Sequence, residues 1–249
     1  MRPGRERGLS AAAVNDAVSR AVMRHVLIGP PLRLFTRLHV EGRANVPREG
    51  ALIVASNHLS FIDSIVIPLA SGRQVHFLGK AEYFQGAGPQ GAVVRWFHST
   101  AGTIPVDRAD PRAALHSLEL GEEVLRAGRA FGVYPEGTRS PDGRLHKGRT
   151  GVARMAVNTG ATLLPCAVLG TDKVQPPGSN RFRPARVTVR FGTPVDVAGL
   201  SKRHQKAALL RAVTDAVMEA IGGLSGQERS GRYASDVKAE LAHDAADQS

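Results

Sequence analysis

The stretch ALIVASNHLSFID, from Ala51 to Asp63, joins an apolar run to a polar turn in which a histidine stands five positions ahead of an aspartate. A short continuous apolar run bounded by turn residues reads as a strand buried on both faces. The pattern returns along the chain. QVHFLG, AGTIPV, AFGVY, LLPCAV and ARVTVRF are further strand candidates, and helical patterns alternate with them near residues 89–98, 111–127, 148–158 and 201–221. Such alternation predicts an α/β fold, a single domain whose mixed or mostly parallel central sheet is flanked by helices. A length of 249 residues suits one domain of this kind.

Apolar residues make up 42% of the chain and charged residues 22%, ordinary for a folded protein, so disorder is expected only at the ends. The net charge of +11 is uneven: residues 1–48 carry nine arginines against three acids, whereas the last two dozen residues are slightly acidic. A basic front end points to an anionic surface. Nucleic acid is one such surface; the cytoplasmic leaflet, where each nearby Lys or Arg gains about 1 kcal/mol, is the other. Composition does not separate the two. The lone cysteine, Cys166, excludes an intrachain disulfide and a Cys-rich zinc site, and fits a reducing compartment. The nine histidines show no H-E-x-x-H or similar spacing, so no metal site is expected.

Toward the N-terminus, Val14, Val18, Val22 and Val26 recur every four residues opposite Asp16, Arg20 and Arg24, which predicts an amphipathic helix over Ser10–Ile28. Gly29-Pro30-Pro31 ends it. A second short segment follows, in which Leu34, Phe35 and Leu38 alternate with Arg33 and Arg37. Asn15, Asp16, Arg20, Arg24 and His25 break any signal-peptide core, and no window approaches the roughly 18 apolar residues of a spanning helix. The expected organisation is an N-terminal pair of membrane-interface helices in residues 1–39, a catalytic domain over 40–225, and a polar, mobile tail with at most a marginal helix over 226–249. Covering the core is the plain alternative for the N-terminal helices.

The strand candidates run out into chemically capable residues: ALIVA into SNHLSFID, HFLG into Lys80 and Glu82, TIPV into Asp107-Arg108, and GVY into PEGTRS. Ligands in open α/β sheets bind beyond the carboxyl ends of strands, so parallel strands would gather these segments on one edge. His58 and Asp63 admit two readings. Ser60-Phe61-Ile62-Asp63 has the form of a capping box, which explains the aspartate without chemistry. Alternatively, His58 folds back so that Asp63 fixes its tautomer and leaves the other ring nitrogen a base. With no G-x-S-x-G elbow, and with Cys166 inside an apolar strand, the proton such a base removes would come from a substrate hydroxyl. In YPEGTRS, Gly137 lets backbone approach a ligand and Arg139 offers a fork suited to phosphate; a plain surface turn is the competing reading. Lys80 and Arg108 carry the same ambiguity. G-x-G-x-x-G over Gly86–Gly91 lacks a βαβ context and reads as a loop. Arg181-Phe-Arg183 with Arg186 and Arg190 reads as alternation across a strand, and aromatics at 5% are too few for base stacking.

Taken in order, four blocks resemble the PlsC-type glycerolipid acyltransferases, the 1-acylglycerol-3-phosphate O-acyltransferase family. They are Asn57-His58-Leu-Ser-Phe-Ile-Asp63, matching N-H-x-x-x-x-D; Gly102-Thr-Ile-Pro-Val-Asp107-Arg108; Tyr134-Pro-Glu136-Gly137-Thr138-Arg139-Ser140; and Leu164-Pro165 within LLPCAV. The resemblance spans about Val40 to Val195. It implies a glycerol-3-phosphate acyltransferase-like fold, His58 as general base with Asp63 its partner, and a phosphate site built from Lys80, Arg108, Glu136, Gly137, Thr138 and Arg139. The second block departs from the common aromatic-rich form at Thr103 and Pro105, so only Arg108 is carried over from it. The implied reaction moves an acyl chain from acyl-CoA or acyl carrier protein to the free hydroxyl of lysophosphatidate, with glycerol 3-phosphate or another lysolipid as alternative acceptor. No bound cofactor and no metal are expected. The expected setting is cytoplasmic, peripheral on the anionic inner face of the cell membrane. A nucleic-acid-binding module would account for the charge but not for His58, Asp63 and PEGTR together, and a catalytically silent lipid-binding relative would have no use for the His58–Asp63 pair.

Overall fold

The computed structural model describes residues 29–80, 103–106, 113–176 and 181–247. In chain order the elements are α1 (Gly29–Thr36), β1 (His39–Glu41), a 3-10 turn at Arg43–Asn45, β2 (Leu52–Ser56), α2 (Asp63–Ser71), β3 (Val75–Lys80), β4 (Thr103–Val106), α3 (Ala113–Arg126), β5 (Ala130–Val133), α4 (Gly151–Thr159), β6 (Thr162–Leu169), α5 (Thr171–Val174), β7 (Thr188–Phe191), α6 (Val197–Arg203), α7 (Lys206–Ser225) and α8 (Ala234–Asp247). The apolar run read first lies in the middle of the sheet as β2, and all five strand residues, Leu52–Ser56, are buried.

The sheet has seven strands in the order β1-β7-β6-β2-β5-β3-β4. Five run parallel, from β6 through β2, β5 and β3 to β4. At the other side β7 pairs antiparallel with β6, and β1 follows β7 in parallel. The sheet is therefore mostly parallel, as the alternation predicts. The two reversed strands have a further effect: the segments leading into them, α1 and residues 181–187, stand at the edge where the five parallel strands finish.

Alternation along β2 divides the core between the two faces. Leu52 and Val54 join Val66, Ile67 and Ala70 of α2, whereas Ile53 and Ala55 join Met155 of α4 and Val213, Val217 and Ile221 of α7. Burial of each such aliphatic side chain contributes about 1.5–3 kcal/mol, which is why a strand covered on both faces reads as unbroken apolar sequence. Gly132 in β5 is required by packing, since a Cβ there would lie 2.2 Å from the Phe77 ring of β3.

Several expectations are revised. The helix predicted at 201–221 is two helices, α6 and α7, parted at His204–Gln205. β1 was not anticipated, because three residues, HVE, carry no apolar run. Only Thr188–Phe191 of ARVTVRF is strand; Arg181, Phe182, Arg183 and Arg186 sit exposed in an irregular segment, so alternation across a strand does not account for them. From Gly226, where the sequence suggested a polar tail, the chain returns to the domain. Leu145 N donates to Glu228 O and Lys147 N to Arg232 O, and α8 buries Ala234 and Val237. The helix expected over 10–28, the one near 89–98 and the Gly86–Gly91 loop lie outside the described residues. Among the described residues no helix is long and apolar enough to cross a membrane.

Candidate active site

β2 and β5 are neighbours with Ala55 opposite Val133, so the turns that leave them, at Asn57–Ile62 and Tyr134–Arg139, emerge side by side. His58 Nδ1 lies 2.8 Å from Asp63 Oδ2. The same oxygen accepts from the backbone N–H of Leu59 at 2.7 Å and of Ser60 at 2.8 Å. Asp63 is fully buried at the start of α2. Burying a carboxylate costs several kcal/mol unless it is well bonded, and three donors on one oxygen supply that compensation. The other oxygen, Oδ1, is buried without a partner.

The capping-box expectation is half met. Asp63 reaches back to the Ser60 amide, but the Ser60 hydroxyl donates 3.2 Å to Gln175 Oε1 instead, and α2 begins at Asp63 with Ile62 as its N-cap. Both readings of the aspartate thus hold at once: it secures the turn and it orients the histidine. A carboxylate on Nδ1 fixes that nitrogen as the donor and leaves Nε2 able to accept a proton.

Tyr134 packs flat on His58, the ring centroids 3.8 Å apart and the planes 7° from parallel. Its own position is set by Phe77, 5.4 Å away, and by a 2.8 Å hydrogen bond between its hydroxyl and Ser64. Burial, reinforced by the nearby Asp63 charge, pushes the Tyr134 phenol well above its ordinary range, so it stays neutral. The first turn is tied to the sheet by Asn57, whose side chain accepts from Val168 N at 2.8 Å and donates to Val168 O at 2.9 Å. The Asn57 amide also donates to Gln227 Oε1 at 2.7 Å, and Gln227 Nε2 donates to Gly143 O at 2.6 Å. Ser140 N donates to His58 O at 2.8 Å and joins the two turns directly.

The second turn has a buried stem and an open tip. Gly137 takes φ +80°, a left-handed conformation that favours glycine, and Arg139 beside it is exposed. Glu136 is buried and accepts from His146 N at 3.1 Å, while its Oε1 lacks a partner. Burial raises its carboxyl to about 7, against the pull of the His146 and His58 amides and with help from the Asp142 and Asp63 charges. Asp142 shows the opposite balance: burial opposes ionisation, but hydrogen bonds from Arg144 and His146 outweigh it and hold the carboxyl well below its usual range. Cys166 is buried in β6, which pushes its thiol far up and leaves it a core residue.

The structure thus brings together His58, Asp63, Glu136, Gly137, Thr138 and Arg139 on one edge. Lys80 ends β3 opposite Val106, on the same edge. Arg108 and Glu82 lie outside the described residues. Sequence reasoning quoted Asn57 and Tyr134 within its motifs without giving either a role, and passed over Gln227. An aromatic placed directly after an apolar strand, at the head of the PEGTRS turn, was a usable signal for Tyr134; Gln227, 170 residues from Asn57, offered none.

A family model described as Acyltransferase matches residues 37–169. The chloroplastic 1-acyl-sn-glycerol-3-phosphate acyltransferase LPAT1 of Arabidopsis thaliana is 34% identical over 146 residues, 58% of this chain and 39% of that protein. The 1-acyl-sn-glycerol-3-phosphate acyltransferase of Bacillus subtilis (strain 168) is 28% identical over 198 residues, 76% of this chain and 90% of that one. This chain spans about two fifths of the length of the chloroplastic relatives from Arabidopsis thaliana and Brassica napus, 39% and 41%. The crystal structure of the 1-acyl-sn-glycerophosphate (LPA) acyltransferase PlsC from Thermotoga maritima superposes with a TM-score of 0.65 at 28% identity, covering 84% of this chain and 82% of the other.

Proposed function

We propose, from the premise that this chain belongs to the Acyltransferase family, that it transfers an acyl chain from an acyl thioester to the free glycerol hydroxyl of lysophosphatidate, forming phosphatidate. The observation that carries the reading is the His58–Asp63 pair, a histidine with one nitrogen fixed by a buried carboxylate and the other left as a base. The acceptor hydroxyl gives its proton to Nε2 as its oxygen attacks the thioester carbonyl. The carbon–sulfur bond then breaks, and the proton passes to the departing thiolate. A thioester is already activated, so the protein's work is alignment and proton removal, worth about 7–11 kcal/mol at best and roughly 10²–10⁴ in rate respectively.

Arg139, with Lys80 and Arg108, holds the acceptor phosphate, and Gly137 and Thr138 bring backbone close to it. Glu136 acts from beneath, holding the turn through His146 rather than facing an anion. The donor is acyl-CoA or acyl carrier protein. Residues 10–38 rest on an anionic membrane surface at the inner face of the cell membrane, arginines at the head groups and apolar residues below. Among relatives, the named activity of the Bacillus subtilis protein, which this chain covers almost entirely, favours lysophosphatidate over glycerol 3-phosphate as acceptor.

The test is to supply the purified protein with acyl-CoA and acyl carrier protein thioesters and a panel of acceptors, following free thiol and product. Thiol release that depends on lysophosphatidate and yields phosphatidate is expected. Release with glycerol 3-phosphate alone would move the acceptor to the alternative; none with any glycerol phosphate would overturn the reading.

A further inference from the structure

The segment Arg181-Phe-Arg-Pro-Ala-Arg186 lies outside the family-model match and has no part in the site above. Arg181, Phe182, Arg183, Pro184 and Arg186 are exposed, Phe182 to 54%, whereas Ala185 and Val187 pack inward against the core. The segment is held by its backbone, Arg183 N donating to Val174 O at 2.8 Å and Val187 N to Thr36 O at 2.8 Å. The second of these bonds places it beside α1, whose exposed residues are Pro30, Pro31, Arg33 and Leu34, the last 82% exposed. Residues 29–38 and 181–186 together contain five arginines and no acid.

Topology decides where this surface faces. β1 and β7 run against the five parallel strands, so the segments entering them stand at the carboxyl edge of β2, β5 and β6, the edge that bears His58. Gln175, just before the segment, takes the hydroxyl of Ser60 in the catalytic turn. Exposed apolar tips on two segments that carry arginines and no acid complement a surface that is anionic outside and apolar beneath.

We propose that residues 181–186 form a docking surface for an anionic lipid bilayer that, together with α1, turns the His58 edge toward the membrane. This rests on the reading that the acceptor is a membrane lipid. Nucleic acid also attracts arginine, but a single phenylalanine beside an aliphatic tip gives no base-stacking platform.

The test uses the full chain and its R181Q/R183Q/R186Q and F182A variants, sedimented with vesicles of phosphatidylcholine alone or mixed with phosphatidylglycerol. The triple variant is expected to lose about 10- to 100-fold in partitioning to anionic vesicles at low salt, with the deficit closing at high salt. F182A is expected to lose a few-fold at either salt. Both are expected to keep wild-type thiol release with a short-chain acceptor in free solution. Unchanged partitioning of the triple variant would overturn the proposal, as would a defect confined to RNA binding or an equal loss of activity on the soluble acceptor. Normal docking without any acyl transfer by the wild type would leave this surface standing and remove the reading of the reaction.

Discussion

Two neighbouring turns on one sheet edge are built to opposite standards. The turn after β2 is closed: Asp63 is fully buried, one of its oxygens takes three donors, and Asn57 is bonded on three sides. The turn after β5 is open at its tip, with Gly137 and Arg139 exposed above a buried Glu136. Under the proposed function, the difference follows from what each turn would do. A base has to be held within a few tenths of an ångström of its working position before the substrate arrives. A phosphate-binding turn has to admit its ligand, which an exposed Arg139 allows.

The contrast is broken most severely by removing the base. His58→Ala is expected to lower kcat by about 10²–10⁴ while leaving the circular dichroism spectrum and Tm near wild type. Near-normal turnover in a folded variant would take the chemistry away from the closed turn. The open turn should respond differently. Arg139→Ala is expected to raise KM for a phosphate-bearing acceptor by about 10- to 100-fold with a smaller change in kcat, the signature of a charge-assisted contact made outside the reacting centre. A loss in kcat alone would place Arg139 among the reacting groups instead.

Gln227 links the first turn to the loop that follows the second, accepting from Asn57 and donating to Gly143. Gln227→Ala is expected to lower kcat by roughly 3- to 10-fold with KM for the thioester unchanged, as two hydrogen bonds worth about 1 kcal/mol each are lost. Glu136 gives the smallest and most specific effect. Its carboxyl is raised to about 7 from an ordinary 4.5, so the folded state binds the proton more tightly than the unfolded state. Stability from this group is therefore fully present below about 4.5 and is lost as pH rises through 7, with an upper bound of about 3 kcal/mol. Glu136→Gln keeps the acceptor for His146 and removes the titration. Its Tm should fall less between pH 5.5 and 8 than that of the wild type; parallel profiles would show that Glu136 ionises freely.

The strands of the parallel core were legible because burial on both faces leaves no polar residue to interrupt them, as in Leu52–Ala55 and Leu163–Leu164. Strand direction was not legible: nothing in HVE or TVRF says that β1 and β7 run backwards. Within the site, His58 and Asp63 were readable because their link spans five residues and closes within one turn. Ser60 looked like an N-cap by local pattern, yet its hydroxyl went to Gln175, 115 residues away. The return of the chain after Gly226 was hidden for the same reason, since Ala234 and Val237 are too sparse to give a period, and the backbone bonds that bring the segment back go to Leu145 and Lys147, distant in sequence. Local chemistry is written locally, whereas the supports that hold it are supplied by tertiary structure.

Asn57 shows what this means for how sequence is spent. Its side chain occupies the N–H and C=O of Val168, filling with an amide a rung of the β2–β6 ladder that the main chain abandons as it turns toward His58. Only a side chain carrying a donor and an acceptor at peptide reach can imitate a peptide group in this way; aspartate lacks the donor and glutamine extends too far. In the string Asn57-His58-x-x-x-x-Asp63, the first letter therefore encodes architecture, and under the proposed mechanism the other two encode reactivity. A search pattern or a redesign that keeps only the reactive pair would retain the vocabulary of the site and lose its grammar.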